Sequence, residues 1–308
     1  MARARRGEPV DGVLLLDKPS GITSNLALQK ARRLLAAAKA GHTGTLDPLA
    51  SGLLPLTFGE ATKFSSDLLD AAKTYEARIT LGATTSTGDA EGAVTATSLV
   101  DVSSEQVAAA LRQLSGPIDQ IPPMFSALKR DGRALYAYAR AGLNVTRAPR
   151  QVTIHRLELL AFGGTHLRIL VECSKGTYVR VLAEDIGRLL GCGAHLAALH
   201  RTRVGDLRVE RATSLVALEA LAPEQRRALL LPLDSLIGKL PRVELDAKLA
   251  DRFSHGQRLA LGPGNPCGRV RVLGPHARLL GVAQIDEHGL LAPHRLVQQP
   301  TDQNESQS

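Results

Sequence analysis

Gly41-His42-Thr43-Gly44-Thr45-Leu46-Asp47-Pro48-Leu49-Ala50-Ser51-Gly52 is the stretch on which the reading of this chain turns. Its three glycines and one proline favour a backbone that neither a helix nor a strand accepts. Asp47 precedes Pro48, and the residue before a proline is pushed toward an extended conformation. A stiff loop of this kind can project a single carboxylate into a cleft, as a nucleophile or as a general base. The bland alternative is an ordinary Asp-Pro turn, and the dipeptide alone does not decide between them.

Moving outward, residues 23–40 read as a helix, capped by Thr23 or Ser24, with Leu28, Ala31 and Leu35 on one face and Gly41 as its stop. Residues 74–82 alternate Tyr75, Ala77, Ile79 and Leu81, the pattern of a half-buried strand. Ser103 and Gln106 form a capping box for a helix carrying Val107, Ala110, Leu111 and Leu114, which Gly116-Pro117 ends. A helix over 133–141, paired strands over 152–161 and 166–173, and a helix over 179–190 follow. Strands and helices come in runs rather than strict alternation. The fold class is therefore α+β, with a mixed, mostly antiparallel sheet flanked by helices. The composition changes between Pro232 and Pro241, so the larger domain spans 1–235. Residues 242–298 are short strand-like pieces forming a small β module, with Asp286-Glu287-His288-Gly289 as a hairpin turn, and the polar tail 299–308 reads as disordered.

The 308 residues, 44% hydrophobic and 22% charged, describe an ordinary globular protein with no apolar run long enough to cross a membrane. The basic N-terminus lacks the apolar core of a secretory signal. Three distant cysteines without a CxxC pair disfavour a disulfide framework and a zinc site, and fit a reducing cytoplasm. A net charge of +8 and a pI near 9.7 favour a polyanionic partner. The excess is concentrated in 129–156, where seven Lys/Arg face one acid, Asp131; a solvated arginine-rich surface would look the same.

A lone carboxylate needs a partner. Lys175-Gly176-Thr177-Tyr178-Val179-Arg180 runs from a strand end into a helix start. Arg180 can grip a carboxylate with two N–H groups, and Tyr178 can stack on a base. Their bland readings are a surface charge and a core ring. With five Phe, four Tyr and no Trp in the chain, tyrosines beside charged segments such as Tyr75 and Tyr178 stand out. His42 has no second ligand at metal spacing, so it is either an RNA contact or a plain loop histidine. Lys18, in the turn Asp17-Lys18-Pro19-Ser20-Gly21, reads equally well as a solvated turn lysine.

The 41–52 stretch closely resembles the catalytic motif of the TruB family, the tRNA pseudouridine-55 synthases. Val13 to Pro19, Phe58 to Phe64, Lys73-Thr74-Tyr75, Pro122 to Lys129, Leu135 to Arg140, Cys173 to Arg180 and Leu190 to Leu196 continue the likeness in order, across about residues 11–235. The resemblance implies that Asp47 is the catalytic aspartate, that Tyr75 stacks on the target base, and that Arg180 pairs with Asp47. It further implies that Tyr178 and Leu199 line the pocket, that His42 meets the RNA loop as uridine flips, and that Lys18 is a basic residue near the site. The segment 242–298 is similar to a PUA-type RNA-binding module, on the strength of Gly281-Val282-Ala283 and Ala292 to Val297. Thr45, Phe125 and His200 depart from the family's usual Ala, Tyr and Arg.

The implied activity is the isomerisation of a uridine in the T stem-loop of tRNA, by a monomeric cytoplasmic enzyme without metal or small-molecule cofactor. Attack at C6, attack at C1′ and removal of the 2′ proton all remain open as its path. The competing class is a non-catalytic tRNA-binding or RNA-folding protein, which would not need Asp47, Tyr75 and Arg180 together. A carboxylate glycosidase would need a second acid at matching spacing, and none is evident.

Overall fold

The computed structural model describes residues 7–298 apart from Ala127 and Pro263; the tail expected to be disordered lies outside the described residues. Ten strands form the main sheet. In chain order they are β1 (Gly12–Lys18), β2 (Ala40–His42), β3 (Ser51–Phe58), β4 (Lys73–Leu81), β5 (Gly116–Gln120), β6 (Arg150–Gly163), β7 (His166–Cys173), β8 (Ala194–Val204), β9 (Leu207–Arg208) and β10 (Thr213–Ser214). Their order across the sheet is β10-β1-β3-β8-β4-β7-β6-β5, with β2 beside β3 and β9 beside β8. Among the described residues of this sheet only the β1/β10 and β3/β8 pairs are parallel, so the α+β, mostly antiparallel architecture is as expected.

Leu14 and Leu16 of β1 pack with Ala27, Leu28 and Ala31 of the helix Ser24–Leu34. Val13 and Leu15, pointing the other way, pack with Leu53, Phe64 and Leu68. Burial of both faces explains why β1 reads as an unbroken apolar run rather than an alternating one. Further along the sheet, Ile79, Ile169 and Val171 pack against Leu182, Ala183 and Ile186 of the helix Val179–Leu189.

Several local expectations hold in atomic detail. Thr23 accepts from the Leu26 N–H, and the Ser103–Gln106 box makes both of its bonds. Two do not. The first helix ends at Leu34 rather than near Gly41. Ala36 takes a left-handed φ of 51°, and the Arg32 guanidinium covers the carbonyls of Ala37 and Ala38. The residues thus freed pair with β3 as β2, so sheet pairing outcompetes the last helical turn. Gly116-Pro117 does not merely stop a helix but opens β5, an edge strand, where proline's missing N–H is tolerated.

A second, five-stranded sheet comprises β11 (Arg242–Glu244), β12 (Leu259–Ala260), β13 (Gly268–Leu273), β14 (Leu279–Ile285) and β15 (Leu290–Leu296), in the order β11-β13-β14-β15-β12. Asp286 closes the expected hairpin by accepting from the His288 and Leu290 N–H groups. A helix over Ala247–Ser254, capped by Asp246, was not anticipated among the strands. Leu273, Leu279 and Val282 enter the same apolar cluster as Val13, Leu15 and Leu53, so the two sheets share a core. Lys63 donates to the Leu296 carbonyl at 2.9 Å, and Arg269 pairs with Asp67 at 2.8 Å across the same junction.

The parallel β3/β8 seam depends on Gly52. It has φ of +99°, and a Cβ there would lie 2.4 Å from the Arg201 carbonyl oxygen and 2.7 Å from its nitrogen. Gly52→Ala is expected to lower stability by on the order of 3 kcal/mol in urea unfolding; a change below about 1 kcal/mol would contradict this packing.

Candidate active site

The loop between β2 and β3 is pinned from both sides. Ser24 Oγ accepts from the Leu46 N–H at 2.8 Å and donates to the Leu46 carbonyl at 2.9 Å. Gly21 N–H donates to the Pro48 carbonyl at 2.8 Å. Asp47 lies between these anchors with its side chain 44% exposed. The rigid projection expected from Gly-Pro punctuation is thus enforced by the start of the first helix.

Arg180 occupies the first turn of the helix Val179–Leu189, and only 5% of it is exposed. Its Nη2 lies 3.0 Å from Asp47 Oδ2 and donates to the Phe125 carbonyl at 2.7 Å. Its Nη1 donates to the Thr87 carbonyl at 3.2 Å, and its Nε lies 3.6 Å from the buried Asp89. The bland reading of Arg180 as a surface charge is overturned.

Asp47 and Arg180 open on a cavity of about 270 Å³ whose wall also includes Tyr75, Tyr178, Leu199, Lys73, Ser126 and Arg201. Five of the seven residues singled out from sequence therefore meet in one cavity. Burial pushes the phenols of Tyr75 and Tyr178 above their usual pKa, keeping both as neutral rings. Lys18 and His42 are not among the residues lining it. Lys18 is fully buried, not a solvated turn residue: its ammonium donates to the carbonyls of Pro19 and Ile22 at 2.8 Å each. Burial, then the Arg201 charge, lowers its pKa to about 8, and Asp47 opposes that shift. Among the described residues His42 Nδ1 is buried with no hydrogen-bond partner, and burial lowers the pKa of the ring.

Arg201 was not singled out from sequence. It is 1% exposed, donates through Nε to the Leu53 carbonyl at 2.7 Å and through Nη2 to the Gly44 carbonyl at 3.2 Å, and so ties β8 to the Asp47 loop. Its signal is weak because His200-Arg201-Thr202-Arg203 reads as an exposed basic run. Asp89, an unremarkable loop acid in sequence, is 4% exposed and holds the far side of Arg180. Of the departures from the family pattern, Phe125 serves Arg180 through its carbonyl, and His200 Nδ1 lies 2.9 Å from Ser51 Oγ. Among the described residues no group of His, Cys, Asp and Glu is placed to hold a metal, and no helix is long and apolar enough to cross a membrane.

Residues 32–179 match the TruB family pseudouridylate synthase N-terminal domain, 180–238 the tRNA pseudouridylate synthase B C-terminal domain, and 241–297 the pseudouridine synthase II TruB C-terminal domain. The chain belongs to the TruB family. It is an enzyme, an RNA pseudouridine synthase. It is 62% identical over 288 residues to the tRNA pseudouridine synthase B of Aromatoleum aromaticum, covering 94% of this chain and 93% of the relative. The enzyme of the same name from Dechloromonas aromatica is 58% identical, covering 96% of this chain and 98% of the relative. Among solved structures, a Cbf5-Nop10-Gar1 complex matches with a TM-score of 0.71 at 25% identity, covering 92% of this chain and 84% of that one. An H/ACA RNP bound to a substrate RNA shares the fold at a TM-score of 0.72 and 24% identity, covering 98% and 92%.

On the cavity wall of the synthase, Lys73 is buried and donates to the carbonyls of Leu69 and Ala71 at 2.6 Å each. Burial lowers its pKa from 10.5 to about 8, with Arg201 adding to the shift. The folded state therefore binds this proton more weakly than the unfolded chain. Its protonation costs stability below about pH 8, and the cost fades as the pH rises toward 10.5. Urea unfolding at several pH values should show the wild type gaining stability relative to Lys73→Met between pH 8 and 10.5. A constant difference across that window would contradict the shift.

Proposed function

We propose that the synthase converts uridine 55 in the T loop of tRNA to pseudouridine, with Asp47 as the catalytic carboxylate. The observation that carries this reading is the half-exposed Asp47, held at 3.0 Å by a buried guanidinium in a cavity flanked by two tyrosines and a leucine. The likeness to tRNA pseudouridine synthases B over nearly the whole chain supports tRNA as the substrate, and the 41–52 motif supports position 55. A tRNA substrate suits a cytoplasmic enzyme.

The isomerisation breaks the C1′–N1 bond, turns the uracil and forms a C1′–C5 bond. C5 gives up its proton, N1 gains one, and no electrons are exchanged with a redox partner. The uridine must first leave its stack, at a cost of a few kcal/mol. Stacking on Tyr75, worth roughly 1–3 kcal/mol, offsets much of that, with Leu199 and Tyr178 closing the pocket. Asp47 acts on the sugar–base unit while Arg180 holds its second oxygen and keeps the charged carboxylate in one orientation. His42 contacts the loop vacated by the flipped base, and Lys18 supplies positive potential behind Asp47. The basic stretch 129–156 draws in the phosphate backbone.

Asp47→Asn is expected to fold and to bind tRNA, yet to release no tritium from C5-labelled uridine. Turnover by this variant would refute the assignment. A wild type that binds tRNA and forms no pseudouridine would instead mark a binding or RNA-folding protein.

A further inference from the structure

Gln120 ends the edge strand β5 with its side chain turned inward, and it is 2% exposed. Its Oε1 accepts from the Tyr178 N–H at 3.0 Å, and its Nε2 donates to the Tyr178 carbonyl at 3.3 Å. One amide thus holds both backbone groups of one residue, as a neighbouring strand would. Tyr178 is the cap residue of the helix Val179–Leu189, and its own side chain makes no capping bond. Its carbonyl also accepts from the Leu182 N–H at 3.1 Å, so Gln120 grips the helix at its first turn. Arg180 belongs to that turn. The chain leaving Gln120 returns to the same place: the Phe125 carbonyl takes its 2.7 Å bond from Arg180, and Ser126 joins the cavity wall.

We infer that Gln120 is a positioning residue for the isomerisation: its side-chain amide fixes the helix start that sets Tyr178 and Arg180 against Asp47, without itself touching RNA. This rests on Asp47 being the catalytic carboxylate. Gln120 does not line the cavity, so it acts only through the geometry of Tyr178 and Arg180. Freed of the amide, the helix start can shift, and a misplacement of about 1 Å can cost on the order of a hundredfold in rate. A glutamate at this position would keep the acceptor for the N–H and, when ionised, lose the donor to the carbonyl; a methionine would keep neither.

The test compares wild type, Asp47→Asn, Gln120→Met and Gln120→Glu by tritium release from C5-labelled tRNA and by filter binding of the same tRNA. Gln120→Met should lose about a hundredfold in kcat and Gln120→Glu about tenfold, with KM and Kd within about twofold of wild type. Wild-type kcat in Gln120→Met, equal losses in both variants, or a fall in rate matched by weaker binding would overturn the inference. If Gln120→Met proves unfolded by circular dichroism, Gln120→Glu decides alone: a fall in kcat at unchanged Kd upholds the role, and wild-type kcat ends it. Activity in Asp47→Asn would fail the underlying reading instead, whatever the glutamine variants do.

Discussion

Arg180 keeps a full positive charge where water scarcely reaches, and the architecture of the cavity follows from satisfying it. Removing a guanidinium from water costs several kcal/mol unless charge and hydrogen bonds replace the solvent. Here the replacements are two carboxylates, Asp47 and Asp89, and two carbonyls, those of Thr87 and Phe125. They come from three separate segments, Thr87 and Asp89 sharing one, so none of the three can drift without leaving part of the cation unpaired. The same arrangement leaves Asp47 partly open: one oxygen is committed to Arg180, while the side chain still faces the cavity. Burial and exposure are thus divided between the two members of one ion pair.

The parallel seam of the sheet carries the Asp47 loop and part of the cavity wall. β3 starts immediately after the Asp47 loop, and β8 delivers Leu199 and Arg201 beside Tyr75 of β4. Gly52 lets the β8 backbone approach more closely than any side chain would permit. Arg201 then reaches back to the Gly44 carbonyl and braces the loop from below. Its charge, with burial, also weakens the proton affinity of Lys18 and Lys73. The positive charge around the cavity is therefore sustained at a cost in stability.

Features set by short-range chemistry were legible in the sequence. The Thr23 cap, the Ser103–Gln106 box, the alternation of β4 and the Asp286 turn all express forces that act within a few residues. Asp47, Tyr75, Tyr178, Arg180 and Leu199 were legible because the resemblance to the TruB family marks them, and the fold does bring them into one cavity. What stayed hidden depends on partners far along the chain. β3 escaped notice because Pro55 and a run of apolar residues do not alternate, a pattern explained only by its burial between two layers. Arg201, Asp89 and Gln120 look like surface residues until β8, the loop after β4 and β5 fold against the Val179–Leu189 helix. Lys18 misled in the same way, since a turn lysine gives no sign that its own turn will enclose it.

The cluster joining Val13, Leu15 and Leu53 to Leu273, Leu279 and Val282 carries a separate lesson about modularity. A chimaera that exchanged the C-terminal sheet for a relative's would transplant half of an oily seam whose other half stays with β1 and β3. Such a graft succeeds only when the donor's side chains at these positions match the recipient's in volume. The boundary drawn by strand order is thus a poor place to cut, and the two sheets have reason to drift together as one heritable unit.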